Sequence, residues 1–257
     1  MNIHNEYAAM HAMPLQIKTQ AQLRDSLQTL LYELYRADSN AGVADSGIDR
    51  EDLEQLTLGC HKKLRALQNL IACKQTRLPE EAFDAAELLE ELCRACDFAL
   101  SGSGRHVWFY SEAESLPVRG FPRSISNAVL NLIANACQHG TGSEVLLRLR
   151  ENAAYGGGAM GGGALLEVIN AGALDCAALA RGAARRGSGL RAVRTAALAN
   201  GGRLLFHSRA GFVHAVLHLP PTEKSAQLSP CPDFVELLCD RLSPVYIGLA
   251  GICEIRC

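Results

Sequence analysis

Neither sign of charge dominates this chain of 257 residues: 25 lysines and arginines stand against 27 aspartates and glutamates. Such a balance leaves no electrostatic footprint for nucleic acid or for an anionic membrane surface, so neither is expected as a partner. Long apolar runs are missing too. No stretch approaches the roughly 18 uninterrupted apolar residues of a spanning helix, and no membrane span is expected. The opening MNIHNEYAAMHAMPLQ has neither the basic start nor the apolar core of a signal peptide, and the expected location is the cytoplasm. What the chain does have is 48% hydrophobic and 20% charged residues, the balance of a globular protein able to bury a sizeable core.

Cysteine is plentiful, with ten residues at irregular spacing. Cys93 and Cys96 form a C-x-x-C, but they sit in ELLEELCRACDFAL, an amphipathic helical pattern, and no second pair follows at zinc-ribbon spacing. Small buried thiols are the expected reading, because free cysteine is among the most buried residue types. A redox pair or a metal site is the competing one.

The hydrophobic rhythm divides the chain into three. Residues 1–100 read as a helical region. Leu23, Leu27, Leu30 and Leu34 mark one helical stripe, and DSNAGVADSGID (38–49) is a loop. Leu53, Leu56, Cys60, Leu64, Leu67 and Ile71 mark a second stripe, which Asp49 can cap, with Glu51 and Asp52 in its first turn. Two such seams joined by a short loop make an antiparallel hairpin, and covering its apolar surface calls for a second copy, a homodimeric four-helix bundle. Pro79 breaks the pattern, a further helix is expected over 80–100, and SGSG (101–104) reads as a linker.

Residues 101–220 alternate strand and helix. HVWFY (106–110), EVLLRLR (144–150), ALLEVIN (164–170), RLLFHS (203–208) and FVHAVLHLP (212–220) read as strands, the last two as a hairpin around Ala210-Gly211. RSISNAVLNLIANACQHG (123–140) and SGLRAVRTAALANGG (188–202) read as helices. The glycine run at 156–163 is expected to be a flexible turn. The fold class is α+β: a helical hairpin followed by an α/β domain whose mixed sheet carries helices on one face. In residues 221–257, DFVELLCDRL is expected as a short helix and PVYIGLAGICEI as a short strand, after a linker.

Along the helix 123–140, Asn127, Asn131, Asn135 and His139 fall at four-residue steps on one face. Asparagine is a mediocre helix former, so the stripe is either a solvated face or a site. N-L-I-A-N-A (131–136) resembles the asparagine box of the GHKL (Bergerat-type) ATPases in its histidine-kinase version. The resemblance implies that Asn135 holds the Mg²⁺ bridging the phosphates of ATP, a role suited to a hard carboxamide oxygen. It also implies nucleotide contacts from Asn131 and His139. E-V-I-N-A-G-A-L (167–174) resembles the first glycine box, which implies that Asn170 reads the adenine amine and that Gly172 lets the backbone approach the base. Asn170 stands where the family usually has aspartate, and Leu174 replaces a second glycine. R-G-S-G-L (186–190) resembles the second glycine box. Gly187, Gly189 and Leu190 would then open a helix whose backbone N–H groups cradle phosphate. Between the boxes, 175–186 reads as a short nucleotide lid, with Arg181, Arg185 and Arg186 facing phosphate or solvent.

Hydrolysing relatives such as gyrase keep a glutamate four residues before the metal asparagine. Asn131 occupies that position here and cannot act as a general base, so the resemblance favours kinases that transfer the γ-phosphoryl group. It implies a phosphoacceptor histidine on the hairpin and an aspartate of a response regulator as the next acceptor. His11, in M-H-A-M-P-L, is the candidate catalytic residue, at a family-like distance along the chain from Asn135. Its proline is closer than in the family's motif, and Ala12 replaces the acidic neighbour. His61 and His4 are the other candidates. The competing readings are a degenerate module that binds ATP or docks a phosphorelay partner without catalysis, and an anti-sigma-type serine kinase.

Overall fold

The computed structural model describes residues 50–72, 80–152, 163–173, 188–223, 226–239 and 243–253. The chain forms two compact units, Met1–Ile71 and Ala72–Cys257. In the first, α1 (Arg50–Ala72) falls at the position of the second of the two expected helices. Cys60, Leu64 and Leu67 of its expected seam are buried. His61 is fully buried beside them, and its Nδ1–H donates to the Thr57 carbonyl at 3.1 Å. The first hairpin helix with its leucine stripe, the loop 38–49, His4 and His11 lie outside the described residues.

The second unit opens differently from the expected helix over 80–100. Residues Glu81–Asp84 form a strand, β1, and only Ala85–Leu100 are helical, as α2. Asp84 makes the break: its carboxylate accepts from Ala86 N and from Leu116 N, both at 2.9 Å, capping the helix and closing the loop that returns to it. Strand β2 (His106–Ser111) follows, and then β3 (Pro117–Gly120), which pairs antiparallel with β1.

α3 (Pro122–His139) leads into β4 (Glu144–Asn152) and β5 (Gly163–Ala171). α4 (Ser188–Ala199) precedes the hairpin of β6 (Leu204–Arg209) and β7 (Phe212–Leu219). Ala210 (φ 52°) and Gly211 (φ 81°) close this hairpin as a two-residue turn with both residues left-handed. The large sheet has the order β2-β4-β5-β7-β6, with only β2 and β4 parallel. Val145, Leu147 and Leu149 of β4 alternate inward, matched by Leu166 and Val168 of β5 and Leu217 and Leu219 of β7. They meet the apolar faces of α2, α3 and α4 in one core.

The region after 220 joins that core. α5 (Phe234–Leu238) starts on a reciprocal capping box between Asp233 and Glu236. The Phe234 N–H donates to Glu91 of α2 at 2.7 Å, and its ring meets Phe98 edge-on at 5.8 Å. The expected strand in PVYIGLAGICEI is instead a helical turn, α6 (Pro244–Gly248), with proline at its start. Gly248 lies so close to Leu130 of α3 that a Cβ there would stand 3.0 Å from the leucine side chain. Leu237, Val245, Leu249 and Cys253 are all buried in the shared core. α2 and the described residues of the segment 226–253 bury their apolar faces in the same core as the sheet, across the divisions expected near residues 100 and 220.

Cys93 and Cys96 are buried in α2, and the Cys93 thiol donates to the Val107 carbonyl at 3.4 Å. Burial, reinforced by Asp97 and Glu90, raises the Cys93 thiol to about 12, and burial raises Cys96 as well. Thiols so far from ionisation are poor nucleophiles and poor metal ligands.

Two expectations follow. Leu249→Ala should cost about 2–5 kcal/mol in a urea unfolding titration, the range for emptying a buried leucine site; a loss below about 0.5 kcal/mol would show that the C-terminal segment is not part of the core. His214 and His218, on the outer face of β7, are both held below the ordinary histidine value of 6.5. Burial is the main cause for each, with His207 and nearby arginines adding for His214, and Arg203 and Arg150 for His218. Below pH 6.5 the unfolded chain binds more protons than the folded one, so these groups leave stability intact above that value and withdraw it as the pH falls further. The thermal midpoint should drop as the pH falls below 6.5, less steeply in His214→Gln. Identical slopes for the two proteins would contradict this.

Candidate functional site

α3 is sunk between the sheet and α4, and its asparagine stripe meets three different surroundings. Asn127 is half-buried near the start. Asn131 is only 1% exposed; its Nδ2 donates to the Asn127 carbonyl at 2.9 Å, and its Oδ1 faces Gly189 of α4. Asn135, one turn on, reaches the rim of a cleft. Its Nδ2 is buried without a hydrogen-bond partner. A buried amide left so is costly, which makes it a natural contact for a ligand oxygen.

The cleft encloses about 210 Å³. Leu132, Asn135, Ala136 and His139 of α3 form one wall, and Val168 and Asn170 of β5 form the floor with Val213 and Ala215 of β7. Phe206 of β6, Ala173 and Leu190 of α4 complete it. An apolar slot of this kind with two carboxamides at its edges suits a flat, partly polar ring.

Asn170 is fixed by its neighbours. Its Nδ2 donates to the Ala171 carbonyl at 3.0 Å, which leaves the oxygen as the group it offers a ligand. Gly140, just past α3, makes room for it: a Cβ there would stand 2.8 Å from the Asn170 nitrogen. Gly172 has φ 151°, which favours glycine, and its N–H donates to the Gly211 carbonyl at 2.9 Å. The turn after β5 is thereby tied to the β6–β7 hairpin.

The cleft thus brings together Asn135, His139, Asn170 and Leu190, with Gly172 at its edge. Asn131 lies beneath it, between helices, and does not line it. Gly189 is in the first turn of α4 and touches Asn131. Gly187 and the lid arginines Arg181, Arg185 and Arg186 lie outside the described residues. Among the described residues no group of three or more His, Cys, Asp or Glu side chains is arranged to hold a metal. With one carboxamide oxygen to offer, Asn135 would fit Mg²⁺ only alongside phosphate oxygens and water. Asn200, at the end of the segment that the sequence marks as helical, ties α4 to α3: its Oδ1 accepts from Phe121 N at 2.6 Å and its Nδ2 donates to the Ala196 carbonyl at 2.7 Å.

No protein-family model and no curated protein matches the sequence. Solved structures do. Histidine kinase AdeS of Acinetobacter baumannii aligns with a TM-score of 0.52 at 18% identity, over 76% of this chain and 95% of that one. Full-length ShkA in complex with AMPPNP aligns with a TM-score of 0.61 at 17% identity, over 91% of this chain and 54% of that one, so the chain spans about half the length of ShkA. Five strands in the order β2-β4-β5-β7-β6 with helices on one face give this chain the fold of these histidine kinase structures.

Proposed function

We propose that the chain binds ATP·Mg²⁺ in the cleft between α3 and α4 and passes the γ-phosphoryl group to a histidine of a dimeric helical hairpin, and from there to an aspartate of a response regulator. The observation that carries the reading is the pairing of Asn135 and Asn170 at the edges of one apolar slot, with the N-terminus of α4 opening beside it. In this reading the adenine ring lies between the α3 wall and Val168, Val213 and Ala215. Its amine donates to Asn170 Oδ1, and the phosphates meet the first turn of α4. Asn135 Oδ1 would help hold Mg²⁺, which would supply neutralisation of the phosphate charge. Transfer forms a P–N bond to the imidazole, breaks the bond from the γ-phosphorus to the bridging oxygen, and leaves ADP and a proton. The chain's contribution is positioning and charge neutralisation. No carboxylate lines the cleft among the described residues, so none is placed to activate water there.

His11 is the proposed phosphoacceptor. His61 is a poor one, since a fully buried imidazole bonded to Thr57 cannot meet a nucleotide without leaving its helix packing. A second reading, a degenerate module that binds nucleotide or docks a phosphorelay partner without catalysis, is favoured by the neutral Asn170 and by Ala12 beside His11.

In titration calorimetry, Asn135→Ala should lose Mg²⁺-dependent ATP binding with little change in the unfolding midpoint; unchanged affinity would remove Asn135 from the site. Asn170→Asp should tighten ATP by about 1 kcal/mol, the typical gain of a charged over a neutral hydrogen bond, with GTP weak in both proteins. Equal ATP and GTP affinity would contradict the role of Asn170. With γ-labelled ATP the chain should acquire an acid-labile, base-stable label that His11→Gln removes and His61→Gln does not. ATP binding without any label would establish the degenerate module.

A further inference from the structure

α3 and α4 run antiparallel, and α4 buries Ala192, Val193, Ala196 and Ala197 as it packs. Such small side chains allow close approach but offer few knobs to fix how far one helix slides along the other. Two carboxamides, one at each end of α4, supply that constraint. Beyond its C-terminus Asn200, 2% exposed, grips the backbone that leads into α3: Oδ1 accepts from Phe121 N, while Nδ2 returns to the Ala196 carbonyl of its own helix. At its N-terminus Gly189 rests on Asn131 Oδ1. A Cβ at Gly189 would stand 2.8 Å from that oxygen, closer than real contacts permit. Asn131 cannot swing aside, because it is buried and its Nδ2 is bonded to the Asn127 carbonyl.

Each tie comes with its own clearance. Gly120, just before Phe121, approaches Asn200 Oδ1 so closely that any side chain there would strike it. Gly189 does the same for Asn131. An asparagine oxygen facing a glycine thus occurs at both ends of one helix. Leu190, one residue after Gly189, lines the cleft, so an axial shift of α4 changes the cleft directly.

We propose that Asn131 and Asn200 are positioning residues for phosphate recognition: they fix α4 along α3 and thereby aim its first turn at the phosphates of the bound nucleotide, without touching the nucleotide themselves. This rests on the nucleotide reading of the cleft. Asn131 thus fills the place of a general base with a packing contact. Asn200 acts from the far end of the helix.

The test uses the full chain and two ligands in calorimetry, ATP with Mg²⁺ and adenosine alone, which shares the base but lacks the phosphates. Asn200→Ala should weaken ATP roughly tenfold, the scale of one lost buried hydrogen bond, while adenosine changes by less than about twofold. Gly189→Ala should weaken ATP similarly, because the added methyl meets Asn131 Oδ1 and displaces the first turn of α4. That variant keeps the test decisive if Asn200→Ala does not fold. In the double variant Asn131→Ala/Gly189→Ala the steric conflict is gone, so ATP affinity should match that of Asn131→Ala alone. Equal losses for ATP and adenosine, unchanged ATP affinity in both single variants, or additive losses in the double variant would overturn the positioning role while leaving the nucleotide site standing. A wild-type chain that binds neither ligand overturns both.

Discussion

Burying α3 is the constraint on which the second unit depends. This helix of 18 residues is covered on one side by the sheet, on another by α4, and near its middle by α6. A helix enclosed so fully is ordinarily apolar all round. α3 instead carries asparagine at every fourth position for three turns, and each amide has to be matched or left facing a ligand. The surroundings divide them: Asn131 is tied within the helix and pressed against α4, whereas Asn135 keeps a buried N–H without a protein partner at the cleft. One sequence pattern thus serves two purposes, and burial decides which.

The strand–helix alternation of residues 101–220 was legible because each element there has a strong local period and a turn signal at its end, such as Ala210-Gly211. Asn135 stood out as part of an asparagine stripe at four-residue steps, and Asn170 through the resemblance of E-V-I-N-A-G-A-L to the first glycine box. β1 was hidden, since EAFD continues the composition of the helix after it, and only the Asp84 cap separates the two. The C-terminal segment was misread because a short apolar run fits a strand or a buried helical turn equally well. Its partner, Leu130, is more than a hundred residues earlier in the chain, and no local pattern encodes that. Asn200 was concealed by its own context: Asn-Gly-Gly is sufficient to end a helix, so nothing in the sequence signals that its amide reaches Phe121.

The outer face of the sheet shows a different economy. Glu167 is 3% exposed on β5, yet it is flanked by Arg148 and Arg150 of the neighbouring strand, both in contact with its carboxylate. A buried carboxylate is tolerable when its hydrogen bonds are met from both sides. The cross-strand pair Arg148–Glu167 also penalises any slip of β4 against β5, because a shift of one residue would turn arginine and glutamate to opposite faces.

The docking of α6 onto α3 bears on the order in which the molecule assembles during synthesis. Strands β4 to β7 are complete by Leu219, and hairpin contacts such as β6–β7 can form as soon as they are made. The surface of α3 around Leu130, however, remains bare until residues 244–253 have been translated. A nascent chain therefore carries a nearly finished sheet with an exposed apolar flank for some time, the kind of species that chaperones bind and that aggregates when synthesis outruns them.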